Sequence, residues 1–204
     1  MKRGCLHETR DAVKLCISEL LTMANFKNTL VEKGCFSSGN DTSNRRPDIS
    51  VFNMPGYDPK VVLDISITCP LPGIETRAAR NLNAREAAIE ERTAAIRYAA
   101  KISKYQGQAD PEVKFQPIII ESTGRIESKS LKFIDHIISF IAQANPKYAV
   151  SIRQYWIRRI SITLMKGITN AISKRSKDVL YNDTLSKRIA SRIVTIHQLD
   201  NNEK

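Results

Sequence analysis

Between residues 7 and 25 the apolar positions Val13, Cys16, Ile17, Leu20, Leu21 and Ala24 recur every three to four residues, which predicts an amphipathic helix. A weaker alternation around Leu30, Val31 and Glu32 predicts a short strand within 28–36. A polar stretch over 37–44, rich in Ser, Asn, Asp and Gly, reads as a loop. The period then drops to two. Residues 48–53 predict a strand that starts just after Pro47, where proline is tolerated. Residues 54–59 carry Pro, Gly, Asp and Pro and predict a turn. Residues 60–68 form the clearest strand: Leu63, Ile65 and Ile67 point one way, and Val62, Asp64, Ser66 and Thr68 the other. The two strands predict a hairpin.

Pro70 and Gly73 bracket a break, after which a run rich in Ala, Arg and Glu predicts a long helix over 75–106. Phe115 and the triplet Ile118–Ile119–Ile120 predict a buried strand within 112–122. Leu131, Ile134, Ile137, Ile138 and Ile141 line one face of a helix over 128–144. Asn145–Pro146 marks a boundary, with helices expected over 147–177 and 183–198. The chain carries no internal repeat. This order predicts an α/β domain with a mixed sheet over residues 1–144, followed by a helical extension over 145–204.

Charge sharpens the division. The 204 residues carry 32 Lys and Arg against 21 Asp and Glu, a net charge of +11. Residues 146–204 hold 12 Lys and Arg against 4 Asp and Glu, so most of the excess lies in the extension. A basic surface of this kind points to a polyanion, with nucleic acid first, since displacing condensed counterions from phosphates drives binding. Cys5, Cys16, Cys35 and Cys69 form no CxxC pair and predict reduced thiols in an intracellular protein. No apolar run reaches membrane-spanning length, and residues 1–25 lack the apolar segment of an export signal, so no membrane association is expected.

Within the extension, residues 153–177 interleave Tyr155 and Trp156 with Arg153, Arg158, Arg159, Lys166, Lys174, Arg175 and Lys177. Ile157, Ile160, Leu164 and Ile168 supply a packing face, and the cations can contact phosphates without reading sequence. Trp156 is either a base-stacking platform or a core residue. A dimerisation arm, a surface that docks on a larger protein, and a membrane-surface helix are the alternatives for this segment.

Asp48 and Asp64 stand out because they are carboxylates in two apolar strands. An unpaired buried carboxylate is costly. A salt bridge, with Arg45 and Arg46 near in sequence, or a shared divalent cation would each hold them. Mg²⁺ takes oxygen ligands and retains waters, and it can activate water for attack on a phosphodiester.

Arg46-Pro47-Asp48-Ile49, then Asp64 in its strand, then Lys101-Ile102-Ser103-Lys104-Tyr105, form an ordered set that resembles the PD-(D/E)XK nuclease superfamily. The set is most similar to the restriction-like endonuclease domain of site-specific non-LTR retrotransposons, whose signature is R/K-P-D, a second Asp, and K-x-x-K-Y. The likeness covers roughly residues 6–143, and the stretch FQPIIIESTG over 115–124 adds to it. It implies a restriction-endonuclease-like core and a Mg²⁺- or Mn²⁺-dependent DNA endonuclease, nuclear if the cell has a nucleus. The same resemblance makes Asp48 and Asp64 metal ligands and Lys101 the catalytic lysine, with Lys104 and Tyr105 in support. Arg45 and Arg46 are further phosphate contacts, and a homodimer or a larger retroelement-type assembly is an expected state.

Two departures accompany the resemblance. Ser66 occupies the position where the wider superfamily carries its lysine, and 37 residues separate Asp64 from Lys101. The choice between Lys101 and Lys104 is therefore open at this level. Lesser candidates are Glu8, Glu19 and His7 on the first helix, and Glu121 at the end of the Ile-rich strand. His136 and His197 read as ordinary helix residues, and Gly107 and Gly124 as turn residues. The alternatives to an enzyme are a nuclease-like fold that binds DNA without turnover, and a basic structural protein whose aspartates pair with Arg45 or Arg46.

Overall fold

The computed structural model describes the backbone of residues 3–30, 47–57, 59–69, 92–105 and 112–202, with side chains described for 7–27, 47–57, 59–69, 92–105 and 112–177. Helix α1 spans Arg3–Met23 and strand β1 spans Asn28–Leu30. Strands β2 (Ile49–Phe52) and β3 (Lys60–Thr68) follow, then helix α2 (Arg92–Tyr105) and strand β4 (Val113–Glu121). Helix α3 (Ser128–Ala144), a short 3₁₀ turn (Pro146–Tyr148) and helix α4 (Ala149–Asn202) complete the order. The expected helix over 75–106 is seen over its last part as α2, and its earlier residues lie outside the described ones.

The strands form one mixed sheet in the order β1-β2-β3-β4. β1 and β2, and β2 and β3, run antiparallel, while β3 and β4 run parallel. The β2–β3 hairpin turns where Asn53 (φ 56°) and Gly56 (φ 79°) adopt left-handed backbone, which costs glycine little. Parallel β4 needs a crossover, and α2 supplies part of it. Pro117 lies within β4, an edge strand of the described sheet, where a missing N–H is tolerated.

The alternation of β3 and β4 divides the core between the two faces. Val61, Leu63, Ile65, Ile118 and Ile120 join Val13, Ile17, Leu20 and Leu21 of α1 and Phe133, Ile134 and Ile137 of α3 in the main core. Ile119, one residue out of phase, faces the other way and packs with Ala94 and Tyr98 of α2. Burying each such aliphatic side chain contributes about 2 kcal/mol. Glu127 and Ser130 fasten α3 to the sheet: the Glu127 carboxylate accepts from Ser130 N–H (2.8 Å), and Ser130 Oγ accepts from Ile119 N–H (3.0 Å).

Helix α4 differs from the two expected helices. The stretch 178–183 between the two expected helices holds neither Pro nor Gly, so nothing in it breaks the backbone hydrogen bonds, and one helix runs from Ala149 to Asn202. Its first half is built into the core: Trp156, Ile160 and Leu164 pack in the same cluster as Ile17 and Leu20. Gly167 of α4 lies against Thr9 of α1, and a Cβ there would stand 2.6 Å from Thr9 Cγ2. Trp156 is thus a core residue. Cys16 is a buried free thiol, Cys69 is exposed, and the side chains of Cys5 and Cys35 lie outside the described residues.

Candidate active site

Asp48 and Asp64 meet across the hairpin. Asp48 N–H donates to Leu63 O (2.8 Å), which extends the β2–β3 register one residue beyond β2 and sets Asp48 across from Asp64. Asp48 Oδ2 accepts from Ile65 N–H (2.7 Å), doing for β3 what the next backbone carbonyl of β2 would do. The Asp48 side chain is 9% exposed and that of Asp64 14%. Burial raises the Asp48 carboxyl above the ordinary aspartate range, and the nearby Asp64 carboxylate adds to the rise; the Ile65 hydrogen bond, Arg10 and Lys14 oppose it.

Lys101 completes the cluster, with its Nζ forming an ion pair with Asp64 Oδ2. Helical periodicity explains why this lysine does so. Ala94, Tyr98, Lys101, Ile102 and Tyr105 fall at i, i+4, i+7, i+8 and i+11, which is one stripe of α2. Ala94, Tyr98 and Ile102 of that stripe pack on the sheet, and Tyr105 stacks on Phe115 of β4 with ring centroids 4.8 Å apart. Lys101 is drawn in with them, whereas Lys104 lies off the stripe, is exposed, and sits over the Tyr105 ring at 5.3 Å. The choice left open by the sequence thus falls on Lys101 as the residue at Asp64. Tyr105 holds the end of α2 on β4, and Lys101 Nζ lies 5.6 Å from its ring.

Two cations on α1 that the sequence did not single out also reach this place. Arg10 Nη2 lies 3.9 Å from Asp48 Oδ1, and Lys14 pairs with Asp11 at 3.2 Å. Both come from the polar face of an amphipathic helix, and polarity there carries no signal of what it will face.

The remaining candidates are placed elsewhere. Glu8 pairs with Lys174 (3.1 Å) and Glu19 with Arg159, so both acids tie α1 to α4. His7 is exposed on α1. Glu121 is buried at the end of β4, opposite Thr68; its carboxylate accepts from Thr123 Oγ1 (3.3 Å) and lies near Arg125 (3.9 Å), within the β4–α3 turn. His136 lies against Pro55 O (3.1 Å) and packs beside Tyr57 and Phe140, which anchors the hairpin turn. Gly124 turns the chain after β4 at φ 95°. Arg45, Arg46, Gly107 and the His197 side chain lie outside the described residues.

On α4, Arg153 makes both arms of a fork to Asp135 (2.7 and 2.9 Å). Arg159 pairs with Glu19, bonds to Tyr155 Oη and stacks over Trp156 at 5.1 Å. Arg158, Lys166, Arg175 and Lys177 are exposed. Arg158 and Lys166 border a shallow groove with Tyr155 and Ile162.

As a donor set, Asp48 and Asp64 supply two hard oxygen ligands, and a Mg²⁺ held by one or two carboxylates and completed by water is an ordinary arrangement. Crowding two acids where one is desolvated is itself what a cation would relieve. No group of three or more His, Cys, Asp or Glu gathers among the described residues to form a fuller protein cage. Among these residues no helix is long and apolar enough to cross a membrane. No protein-family model matches the chain, and no curated protein matches it.

Proposed function

We propose that the chain is a metal-dependent DNA endonuclease with a restriction-endonuclease-like core, related to the nuclease domains of retroelements, and that α4 presents phosphate-binding cations. The observation that carries this reading is the convergence of Asp48, Asp64 and Lys101, from two strands and a helix, at one partly buried point. They are the residues that the ordered sequence set implies.

In this reading Asp48 and Asp64 hold Mg²⁺ or Mn²⁺. When bound, the cation supplies an activated water and charge stabilisation at the phosphodiester. Asp48 is oriented by Ile65 N–H, which leaves Oδ1 for the cation. Lys101, now paired with Asp64, would place its ammonium beside the reacting phosphate and stabilise charge developing on its oxygens. Exposed Arg158, Lys166, Arg175 and Lys177 would hold the DNA backbone without reading sequence.

The second reading is a DNA-binding or assembly module without turnover. It is favoured by one observation: Asp64 is already ion-paired with Lys101, and Asp48 is already bonded to Ile65 N–H, so each acid has a partner within the protein without a cation. Plasmid, junction and single-stranded DNA incubated with Mg²⁺, Mn²⁺ or EDTA separate the two. Metal-dependent nicking by the wild type, lost in Asp64→Asn and Lys101→Ala, is expected of the enzyme. Tight DNA binding with no cleavage under any metal is expected of the module.

A further inference from the structure

Arg10 is left incompletely bonded beside the acids. Its Nη2 lies 3.9 Å from both Asp48 Oδ1 and Asp11 Oδ1, beyond hydrogen-bond reach, and its buried Nε has no hydrogen-bond partner among the described residues. The molecule shows what the same group does when a carboxylate is its intended partner: Arg153 closes on Asp135 with two bonds of 2.7 and 2.9 Å. Around Arg10 the carboxylates are otherwise engaged. Asp11 is the partner of Lys14 at 3.2 Å, and Asp48 Oδ2 is occupied by Ile65 N–H. A planar donor fork thus stands next to the Asp48–Asp64 pair with donors left over, and leaving a buried donor unsatisfied is unfavourable unless another acceptor fills it.

We propose that Arg10 is the phosphate-binding arm of this site, donating to the non-bridging oxygens of the phosphodiester that lies against Asp48 and Asp64, with the Lys14 ammonium reinforcing the local positive field. The proposal rests on the nuclease reading for the identity of that phosphate. The geometry suits a singly charged, two-oxygen acceptor: the fork matches a phosphodiester, and Asp48 beside it would repel the anion unless a cation is bound between them. Arg10 would therefore contact substrate directly, from a helix other than the one that carries Lys101.

The test uses the full chain with Arg10→Ala and Arg10→Lys, and Arg158→Ala as a reference on the α4 surface. Binding of a short duplex DNA is measured across a range of salt with Ca²⁺ in place of Mg²⁺, so that a cation is present without turnover, and single-turnover cleavage in Mg²⁺ beside it. The proposal expects Arg10→Ala to reduce the salt slope by about one phosphate contact. Arg10→Lys should keep the slope, since it keeps the charge. In Mg²⁺, Arg10→Ala should cut cleavage by about a hundredfold or more, and Arg10→Lys should recover only part of that because a point charge lacks the fork.

An unchanged slope in Arg10→Ala, with only a lowered melting temperature, would overturn the proposal in favour of a structural partner for Asp48. If Arg10→Ala does not fold, a reduced slope in Arg10→Lys, or cleavage by Arg10→Lys at the wild-type rate, overturns it. Absence of cleavage by the wild type with every metal sinks the nuclease reading instead. The salt slope in Ca²⁺ then still decides whether Arg10 contacts phosphate.

Discussion

Lys101 on α2 and Asp64 on β3 form an ion pair in which each side chain is only 14% exposed, joining the helix on one face of the sheet to the strand beneath it. Two charges in such a place either compensate each other or leave a costly remainder. Removing Lys101 alone leaves Asp64 largely desolvated and unpaired. Lys101→Met should therefore destabilise the fold by roughly 2–4 kcal/mol. The double variant Asp64→Asn/Lys101→Met should lose clearly less than the sum of the single losses, with a coupling of about 1–3 kcal/mol. Urea unfolding of the four proteins measures it, and additive losses would mean that the pair is not formed.

Asp48 should behave in the opposite sense. Burial raises its carboxyl above the ordinary aspartate value, so the folded state favours its protonated form. The stability this gives is present below the unfolded value and is lost as pH rises through the folded one; at neutral pH the ionised Asp48 is a net burden. Asp48→Asn, which keeps an oxygen for Ile65 N–H, should leave the protein as stable or more stable at pH 7. That advantage should fade on acidification below the raised value. A melting-temperature series against pH checks it, and a strongly destabilised Asp48→Asn at pH 7 would contradict it.

The same shift predicts how metal binding depends on pH. A cation competes with the proton for Asp48, so affinity should begin to fall, on acidification, at a pH above that expected for an ordinary aspartate. Titration of Mn²⁺ at successive pH values should show this early fall in the wild type.

Gly167 is a packing requirement. A methyl group there would meet Thr9 Cγ2 at 2.6 Å and Oγ1 at 2.8 Å, both on an adjoining helix. Gly167→Ala gains about 1 kcal/mol of helix propensity, yet the overpacking between α1 and α4 should outweigh it and leave a net loss of about 1–2 kcal/mol. Thermal unfolding reads the sign directly, and a stabilised variant would show that the helices separate freely.

On α4 the cations should sort into two groups. Arg158→Ala and Lys166→Ala should each weaken DNA binding and lower the salt slope by about one. Arg153→Ala should instead change stability by less than about 1 kcal/mol, by losing Asp135, with a smaller effect on DNA. Fluorescence-anisotropy titrations across salt distinguish the groups.

The strands and their acids were legible because period-two alternation fixes which residues share a face, so Asp64 could be assigned opposite to Leu63 and Ile65 from sequence. The hairpin followed from the Pro- and Gly-bearing turn between two such runs. Lys101 was legible only in part. Its residue type and spacing named it, while the choice over Lys104 came from the stripe Ala94–Tyr98–Ile102 packing on Ile119, a contact between segments far apart in the chain. Arg10 was not legible, since a cation on the polar face of an amphipathic helix is the default and only the fold brings it to Asp48. The packing face of α4 was legible in Ile160 and Leu164, and Trp156 joins it in the main core; that this face packs beside Ile17 and Leu20, and that one helix runs on to Asn202, came only from the fold.

The central claim is that Asp48 and Asp64 together hold a divalent cation. Electron paramagnetic resonance titration of Mn²⁺ tests it without relying on turnover. The wild type should bind Mn²⁺ with a signal that is lost in both Asp48→Asn and Asp64→Asn, while circular dichroism shows both variants folded. Binding that survives both substitutions, or a wild type that binds no Mn²⁺ at all, would contradict it.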